Sequence, residues 1–326
     1  HACCYSILCP RHTGCLSEVV VKINWSPSFD QFINIIIFNS IKIQYIMTDH
    51  ILVTGGTGKT GRRVVTLLQQ LGHQVRIGSR RQQPGFDWTD YSTFAPALRG
   101  IDKAYIVYSP DLAVPGAKEA IQAFTQTAAD EGVKKLVLLS GKGEQEAEAC
   151  EQIVAQSGLR YTLVRASWFS QNFSESFLME PIMTGQVALP LPHVQIPFVD
   201  VNDIAEVVVQ ALIQDDYDGQ TFEITGPRAL TFPQVVEEIA SATGRSITYH
   251  PITMEEYRSG LEKAGLPDGY AWLLGYLFEE VLANPDNQAI SQDVQKVLGR
   301  PATDFSEYAR QTAESGVWSQ PMVSYI

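Results

Sequence analysis

The residues with the clearest chemical meaning form a glycine-rich turn close to residue 55. The segment Thr54-Gly-Gly-Thr-Gly-Lys-Thr-Gly61 has glycines at positions 55, 58 and 61, between a short apolar stretch and a helical pattern. A turn of this kind lets the backbone approach a ligand closely and points helix N–H groups at a phosphate. We therefore expect a dinucleotide pyrophosphate to be held by Thr54, Gly55, Gly56, Thr57, Gly58, Lys59, Thr60 and Gly61.

The same turn contains Gly58-Lys-Thr60, a combination that also occurs in the phosphate loops of nucleoside triphosphatases. That motif needs a glycine five residues before its Gly-Lys pair, and position 53 is Val. The sequence also offers no apolar stretch that ends in an aspartate suited to Mg²⁺. The dinucleotide interpretation is therefore favoured.

Two arginines after the second predicted strand indicate which dinucleotide is bound. An NAD-preferring site usually has an acidic residue about 20 residues beyond the glycines, where it accepts from the ribose 2′-hydroxyl. This chain instead has Ser79, Arg80 and Arg81, which suit a 2′-phosphate, and Lys59 adds a positive charge. We expect NADP(H) rather than NAD(H). Asp87, after a short predicted third strand, either faces the adenine amino group or forms a turn.

The elements that must position these residues alternate between strand and helix. Continuous apolar runs such as Lys135-Leu-Val-Leu-Leu139 are typical of a sheet covered on both faces. Strands are predicted at 50–54, 74–78, 103–108, 134–139, 160–165 and 221–225. Helices are predicted at 59–71, 91–99, 116–131, 144–157 and 202–213, and another begins after Thr231 as its N-cap. The alternation predicts an α/β fold with a doubly wound parallel sheet of the Rossmann type.

The sequence pattern divides the chain into segments. Residues 47–230 form the predicted NAD(P)-binding domain, and 231–318 form a smaller, mainly helical substrate lobe to which 176–199 contribute; 319–326 form a tail. Residues 1–46 are rich in Ile, Asn, Ser and Cys and lack a helical period. We interpret them as an extension foreign to the functional protein, with a targeting segment or a real extension as the alternatives.

Composition narrows the classes of partner. The net charge of −12 argues against non-specific nucleic-acid binding. Four of the five cysteines lie in the first fifteen residues, which excludes a disulfide framework for the main body and fits a cytoplasmic protein. The six histidines lack paired ligand spacing, so no metal is expected. The apolar stretch at 32–46 is too short and too polar to span a membrane.

Four further segments follow the glycine turn in order. They are Ser157-Gly-Leu-Arg-Tyr-Thr-Leu-Val-Arg-Ala-Ser-Trp-Phe-Ser-Gln-Asn172, Pro197-Phe-Val-Asp-Val-Asn-Asp-Ile-Ala205, Tyr217-Asp-Gly-Gln-Thr-Phe-Glu-Ile-Thr-Gly226 and Gly265-Leu-Pro-Asp-Gly269. With the turn, this set resembles the NmrA-like family of atypical short-chain dehydrogenases. The resemblance covers about residues 48–318 and extends to bacterial NADPH-dependent quinone oxidoreductases and azoreductase-like members.

The resemblance implies where NADP(H) lies, across the ends of the strands of a Rossmann domain. The pyrophosphate would be held by Gly55, Gly58, Lys59 and Gly61, and the 2′-phosphate would meet Arg80. Tyr108 and Ser109 would line the cofactor.

The resemblance also implies where the reaction takes place, in a cleft closed by the C-terminal lobe. The nicotinamide would lie near Ser140 and Gly141. The substrate side would be bordered by Trp168, Phe169 and Asn172.

The usual acid of short-chain dehydrogenases is the Tyr of a Tyr-x-x-x-Lys motif on a helix. The corresponding helix, Glu144–Ser157, contains neither Tyr nor Lys. Tyr161 and Arg165 imitate the spacing, but four residues along a strand separate side chains by roughly 13 Å, so we interpret both as structural. We interpret Glu151 as part of a solvated helix face.

Ser140 and Lys142 are the candidate catalytic residues. Ser140 matches the usual catalytic serine, although without the Tyr a cofactor-site role is favoured. Lys142, just past Ser140, is the one cation placed to stabilise developing oxyanion charge, although an ordinary surface lysine is the favoured interpretation. Aromatic side chains that either enclose a flat substrate or pack in the core are Trp168, Phe169, Tyr270 and Trp272.

Two functions from different classes follow. The first is an NADPH-dependent reductase that passes hydride to a quinone or similar planar small molecule, which needs no dedicated Tyr because it can take protons from water. The second is a non-catalytic NADP(H) sensor with a regulatory protein partner. A homodimer is compatible with either function.

Overall fold

The computed structural model describes residues 49–266 and 269–319. The interpretations of residues 1–46 and of the tail beyond Ser319 lie outside this range. Within it, none of the helices has the length and apolar character needed to cross a membrane.

Six parallel strands form the main sheet, in the order β2-β1-β3-β4-β5-β7. Two further strands, β6 and β8, pair in parallel as a separate small sheet. The strands are β1 His50–Thr54, β2 Gln74–Gly78, β3 Lys103–Ile106, β4 Lys135–Gly141, β5 Arg160–Ala166, β6 Gln186–Leu189, β7 Gln220–Ile224 and β8 Thr248–Pro251. The predicted Rossmann fold is confirmed.

Helices connect the strands and form the C-terminal part of the described chain. They are α1 Lys59–Gln70, α2 Phe94–Leu98, α3 Ala117–Asp130, α4 Gln145–Ala155, α5 Asn172–Glu175, α6 Met179–Thr184, α7 Val201–Ile213, α8 Phe232–Thr243, α9 Met254–Lys263, α10 Tyr270–Tyr276, α11 Asp293–Leu298 and α12 Phe305–Glu314. A π-helical turn, Leu277–Leu282, continues α10, and short 3₁₀ turns lie at Tyr91–Thr93, Asp215–Tyr217 and Pro285–Gln288. The expected N-cap Thr231 is confirmed: its hydroxyl accepts from the Gln234 amide at 3.3 Å.

The main sheet is buried on both faces because its strands alternate between two apolar clusters. Leu52 of β1 packs with α2, α3 and α4, whereas its neighbours Ile51 and Val53 pack with α1, α7 and α11. A third cluster joins α6, β6 and α8 to α12. This covering explains why the strands read as continuous apolar runs.

The order of the strands sets the location of a ligand crevice. After β2 the chain returns across β1 to form β3 on its other side, so β1 lies between them. Ligands of such sheets bind beyond the carboxyl ends of the strands, at the point where this reversal opens a crevice.

The structure corrects two local expectations and adds one feature. The strand expected at 103–108 ends at Ile106. No strand forms between β2 and Asp87; the Ser79 carbonyl accepts from the Gln82 and Phe86 amides at 3.2 and 3.1 Å, which closes a turn. The pairing of β6 with β8 was not foreseen, because the short segments that pair lie about 60 residues apart.

Candidate cofactor and active site

The glycine turn follows β1 and leads into α1 at the reversal point. Gly55 has φ +59°, a left-handed conformation that favours glycine, and its amide donates to the Gly78 carbonyl at 3.1 Å. A Cβ on Gly61 would collide with the Gly55 carbonyl, so only glycine lets α1 start this close to the turn. No side chain caps α1 at Gly58. The first amides of the helix are therefore available for a phosphate.

Thr54 and Gly56 support the turn from behind. The Thr54 hydroxyl donates to the Tyr105 carbonyl at 3.1 Å and accepts from the Val107 amide at 2.8 Å, which fixes β1 against the end of β3. A Cβ on Gly56 would lie 2.9 Å from Cγ2 of Ile77. Their packing against β2 and β3 keeps both residues out of the cavity described next.

A cavity of about 560 Å³ opens beside the turn. Its walls come from the turn, from the loops after β3, β4 and β5, and from α10 with the π-helical turn. The sequence-predicted site residues that line it are Gly55, Thr57, Gly58, Lys59, Thr60, Tyr108, Ser109, Ser140, Gly141, Lys142, Trp168, Phe169 and Asn172. The structure thus brings candidates from four separate loops to one space.

Lys59 is the cation of the turn itself. Burial lowers the pKa of its ammonium group, and the Glu175 carboxylate opposes this shift. Glu175 is also held by Arg63, at 2.8 Å. Lys59 therefore lines the cavity in an environment where an anionic ligand would further favour its charged form.

Ser79, Arg80 and Arg81 lie outside the cavity lining but next to the turn, because β2 pairs with β1 up to Gly78 and Thr54. Arg80 and Arg81 are exposed, and neither has an ion-pair partner within 4.0 Å among the described residues. Both arginines follow the carboxyl end of β2, where a 2′-phosphate is expected. Binding of that phosphate stays a prediction.

Asp87 forms a turn. Its Oδ1 accepts from the Thr89 amide at 3.0 Å and from the Thr89 hydroxyl at 2.8 Å. These hydrogen bonds, with the Arg80 charge, lower the pKa of Asp87. Of the two roles considered for Asp87, the turn is the one its contacts show, and an adenine contact stays a prediction.

Lys142 is buried, so the surface-lysine interpretation is wrong. The residue is 6 % exposed, and its Nζ lies 3.3 Å from the Asp286 carbonyl and 3.7 Å from Glu223 Oε2. Ser140 is also buried, and its hydroxyl has no hydrogen-bond partner among the described residues. A buried polar group without a partner is costly, so Ser140 is suited to a ligand that supplies one.

Aromatic side chains form the other wall of the cavity. Trp168 packs edge to face against Phe177 and Phe278, and its indole N–H has no acceptor among the described residues. Tyr270 also lines the cavity, whereas Trp272 is 51 % exposed and lies outside it. Core packing therefore does not account for Trp272, which stacks on Tyr276 at 5.3 Å.

Glu151 is, after Lys142, the second charged residue whose burial was not predicted from the sequence. It is buried, and its carboxylate accepts from Arg165 Nη2 at 2.6 Å and from Nε at 2.9 Å. Arg165 and Tyr161 lie on β5, as expected, so they form no Tyr-x-x-x-Lys pair. The solvated-face interpretation failed because α4 packs this face against β5.

The cavity is also lined by two acidic residues that the sequence analysis did not identify, Asp111 and Glu144. Glu144 directly precedes α4, where an acidic residue usually serves the helix dipole and attracts no notice. Burial, followed by the Asp111 charge, raises the pKa of Glu144 to about 9. The two residues can be recognised as a pair only in the tertiary structure, where the loops after β3 and β4 line the same cavity.

A doubly wound parallel sheet with a glycine turn at its reversal point defines a Rossmann-type dinucleotide-binding protein. The chain matches the NAD(P)H-binding family over residues 55–215 and the NmrA-like family over residues 145–309. It belongs to the NmrA-like family, and the cofactor class is a nicotinamide dinucleotide. The resemblance seen in the sequence is confirmed.

Relatives of known sequence and structure agree with this assignment. An NAD(P)H azoreductase of Xenophilus azovorans is 32% identical over 285 residues, covering 81% of this chain and 98% of its own length. NADPH-dependent quinone oxidoreductase QOR2 of Escherichia coli, complexed with NADPH, has a TM-score of 0.65 at 23% identity, covering 80% and 99% of the two chains.

Two other solved structures share the fold. Triphenylmethane reductase of Citrobacter sp., complexed with NADP(H), has a TM-score of 0.65 at 18% identity over 81% of this chain and 99% of its own. Nmra, a negative transcriptional regulator in complex with NAD, has a TM-score of 0.64 at 17% identity over 83% and 97%. At these identities the structures establish the fold alone.

Proposed function

We propose that this protein is a reductase that uses NADPH to pass hydride to a flat acceptor such as an azo compound or a quinone. One observation carries the proposal: a single cavity is bordered by the glycine turn, by Ser140 and Gly141, and by the aromatic wall. A cofactor on the turn and a flat acceptor against the aromatic wall would therefore share one space. The azoreductase relative supports an azo acceptor.

The aromatic wall favours a flat acceptor. Trp168 and Phe169 line the cavity together with Leu273 and Leu274 of α10, which adds aromatic and apolar surface to its lining. Aromatic faces bind flat π systems by offset stacking or edge contacts. The free indole N–H of Trp168 would satisfy one polar atom of such a ligand.

The chain's own residues position and stabilise the reactants. NADPH, when bound, supplies the hydride. The Ser140 hydroxyl, which lacks a partner, would orient the carboxamide or the acceptor, and the Lys142 ammonium would stabilise negative charge that develops on the acceptor. Both side chains are held in place by burial, so little reorganisation is needed.

Exposed guanidinium groups support the preference for NADPH. Arg80 and Arg81 follow β2, next to the turn, and the residues from Ser79 to Arg81 include no carboxylate that would repel a 2′-phosphate. An arginine there can bind the phosphate with two parallel hydrogen bonds.

NADPH oxidation by the purified protein, measured with a panel of azo dyes and quinones, tests the proposal. We expect turnover with at least one acceptor. The Trp168→Ala variant should raise KM for that acceptor about 10-fold, in line with a lost aromatic contact of about 1.5 kcal/mol, and leave the Kd for NADPH unchanged. Trp272→Ala, which removes an exposed aromatic residue outside the cavity, is the matched control and should leave KM unchanged.

The second candidate function is a non-catalytic redox sensor. One observation favours it: helix α4 carries neither the Tyr nor the Lys of the usual dehydrogenase acid. Tight NADPH binding without turnover on any acceptor would contradict the reductase and favour a redox sensor that acts through a protein partner.

A further inference from the structure

An acidic pair projects from the loops that follow two neighbouring strands. Asp111 lies in the loop after β3, and Glu144 lies in the loop between β4 and α4. Because β3 pairs with β4, these loops meet at the carboxyl edge of the sheet. Both residues line the cavity that the proposed cofactor and acceptor would share.

The Glu144 carboxyl group is buried next to Gly141, in the lining of this cavity. Glu144 is 3 % exposed, and its Oε2 lies so close to Gly141 that a Cβ there would collide with it. Its Oε1 is buried and has no hydrogen-bond donor among the described residues. An ionised Glu144 would therefore leave a buried charge without solvation, which favours the neutral acid.

Asp111 is the charged neighbour of Glu144 in this cavity. Burial raises the pKa of both carboxyl groups, and the Asp111 charge adds to the shift at Glu144, so two carboxylates side by side are disfavoured. Asp111 Oδ1 accepts from the Ala113 amide at 2.9 Å, and this hydrogen bond favours charge on Asp111. We therefore assign the proton to Glu144.

The other charged groups around Glu144 act in the same direction. Glu146 and Glu151 on α4 carry like charges that also raise the pKa of Glu144, after burial and the Asp111 charge. Tyr276 of α10 is also a neighbour, because burial and then the Glu144 charge raise the pKa of the Tyr276 hydroxyl to about 12. Lys142 lines the same cavity, but its ammonium group is held by Asp286 and Glu223.

An independent group points to a ligand at the same place. The buried Ser140 hydroxyl, which also lines the cavity, has no partner among the described residues. Ser140 and Gly141 end β4, and Lys142 and Gly143 separate them from Glu144. A ligand that satisfies Ser140 would therefore occupy the cavity that Glu144 also lines.

We propose that Glu144, held protonated by Asp111, is the general acid that protonates the reduced acceptor. The inference rests on the proposed reductase function. For an azo bond, hydride from the nicotinamide adds to one nitrogen and the N=N π pair moves to the other. The O–H bond of Glu144 breaks, and its proton goes to that nitrogen. The products are the oxidised nicotinamide, a neutral hydrazo compound and the Glu144 carboxylate, which regains a proton from solvent past the half-buried Asp111.

Two acceptors of different chemistry separate this role from a structural one. An azo dye needs a hydride and a proton, whereas a cationic triarylmethane dye becomes neutral on accepting a hydride alone. We expect Glu144→Gln to lower kcat with the azo dye about 100-fold or more, as for loss of a general acid. The same variant should change kcat with the cationic dye less than about threefold and leave the Kd for NADPH unchanged, because general-acid catalysis acts on proton transfer.

The matched control is Glu148→Gln, the same change at an exposed position of α4 whose charge is not among those acting on Glu144; it should keep both activities. Equal loss with both dyes in Glu144→Gln, or no loss with the azo dye, would overturn the inference while leaving the reductase function intact. Wild-type protein that oxidises NADPH with no azo dye, quinone or cationic dye would instead overturn the proposed function, and the inference with it.

Infrared spectroscopy without cofactor provides a readout other than activity. The difference spectrum between wild type and Glu144→Gln at pH 7 should contain the C=O band of a protonated carboxylic acid. In Asp111→Asn the same band should be lost at a lower pH, because the negative neighbour that raises the pKa is gone. A carboxylate signal for Glu144 at pH 7 would contradict the inference.

Discussion

The Cα of Gly61, in the first turn of α1, packs against the carbonyl oxygen of Gly55 so closely that no side chain fits between them. This contact sets the distance between α1 and the turn that leaves β1. It therefore also sets where the first amides of the helix point.

Gly61→Ala should displace the start of α1 and weaken dinucleotide binding. We expect the Kd for NADPH to rise at least about 10-fold and the free energy of unfolding to fall by about 1–3 kcal/mol, as for overpacking of a tight contact. Titration with NADPH and urea unfolding measure both quantities. The control is Gly260→Ala in α9, where a Cβ meets nothing within 4 Å; it should stabilise the protein slightly. Unchanged NADPH affinity in Gly61→Ala would contradict the role of this contact.

Replacing Arg80 and Arg81 together with Ala should weaken NADPH binding selectively. Loss of charge-assisted hydrogen bonds to a 2′-phosphate is worth about 1.5–3 kcal/mol, so we expect the Kd for NADPH to rise about 10- to 100-fold. The Kd for NADH should stay nearly constant. Arg99→Ala is the control, because Arg99 is exposed between α2 and the start of β3, at the amino ends of the strands. An equal change for both cofactors would show that the arginines do not recognise the 2′-phosphate.

Glu151→Gln should destabilise the fold. The carboxylate is buried and forms a pair with Arg165, whose side chain is 27% exposed. Removing it leaves a partly buried guanidinium without its counter-charge, and we expect a loss of about 2–3 kcal/mol, less than for a fully buried pair. Urea unfolding measures this loss. Glu307→Gln, in the exposed pair with Arg310, should change stability little, and a similar loss there would show that burial is not the cause.

The ion pair of Arg228 with Asp304 should make stability depend on pH. Hydrogen bonds from Arg228 lower the pKa of Asp304. A carboxyl group whose folded pKa is lowered stabilises the fold above its unfolded pKa of about 3.9, and this contribution is lost as the pH falls further. We therefore expect Asp304→Asn to destabilise the protein at pH 7 and less at pH 2.5, where part of the contribution is already lost.

Urea unfolding at the two pH values compares Asp304→Asn with wild type. Asp216→Asn, at an exposed aspartate, is the control and should show no such pH dependence. An equal loss for Asp304→Asn at both pH values would indicate that its capping of α12, where it accepts from the Ser306 amide at 2.9 Å, outweighs the charge.

Local patterns in the sequence were enough to determine the fold class, the family and the phosphate-binding turn. The apolar runs, the glycine spacing and the capping residue Thr231 act within a few residues of one another, so each is visible in a short segment. The family resemblance also led to Ser140, Trp168 and Phe169, and Lys142 follows as the cation next to Ser140, although the sequence does not reveal its burial.

The tertiary structure alone decided the electrostatics of the site. Asp111 and Glu144 are separated by more than thirty residues, and they meet only because parallel pairing brings the carboxyl ends of β3 and β4 together. The same packing buries Lys142 and Glu151, which the sequence presented as ordinary charged residues. Burial and neighbouring charge determine what an acidic or basic group can do, and both arise from contacts between strands and helices that are distant in the chain.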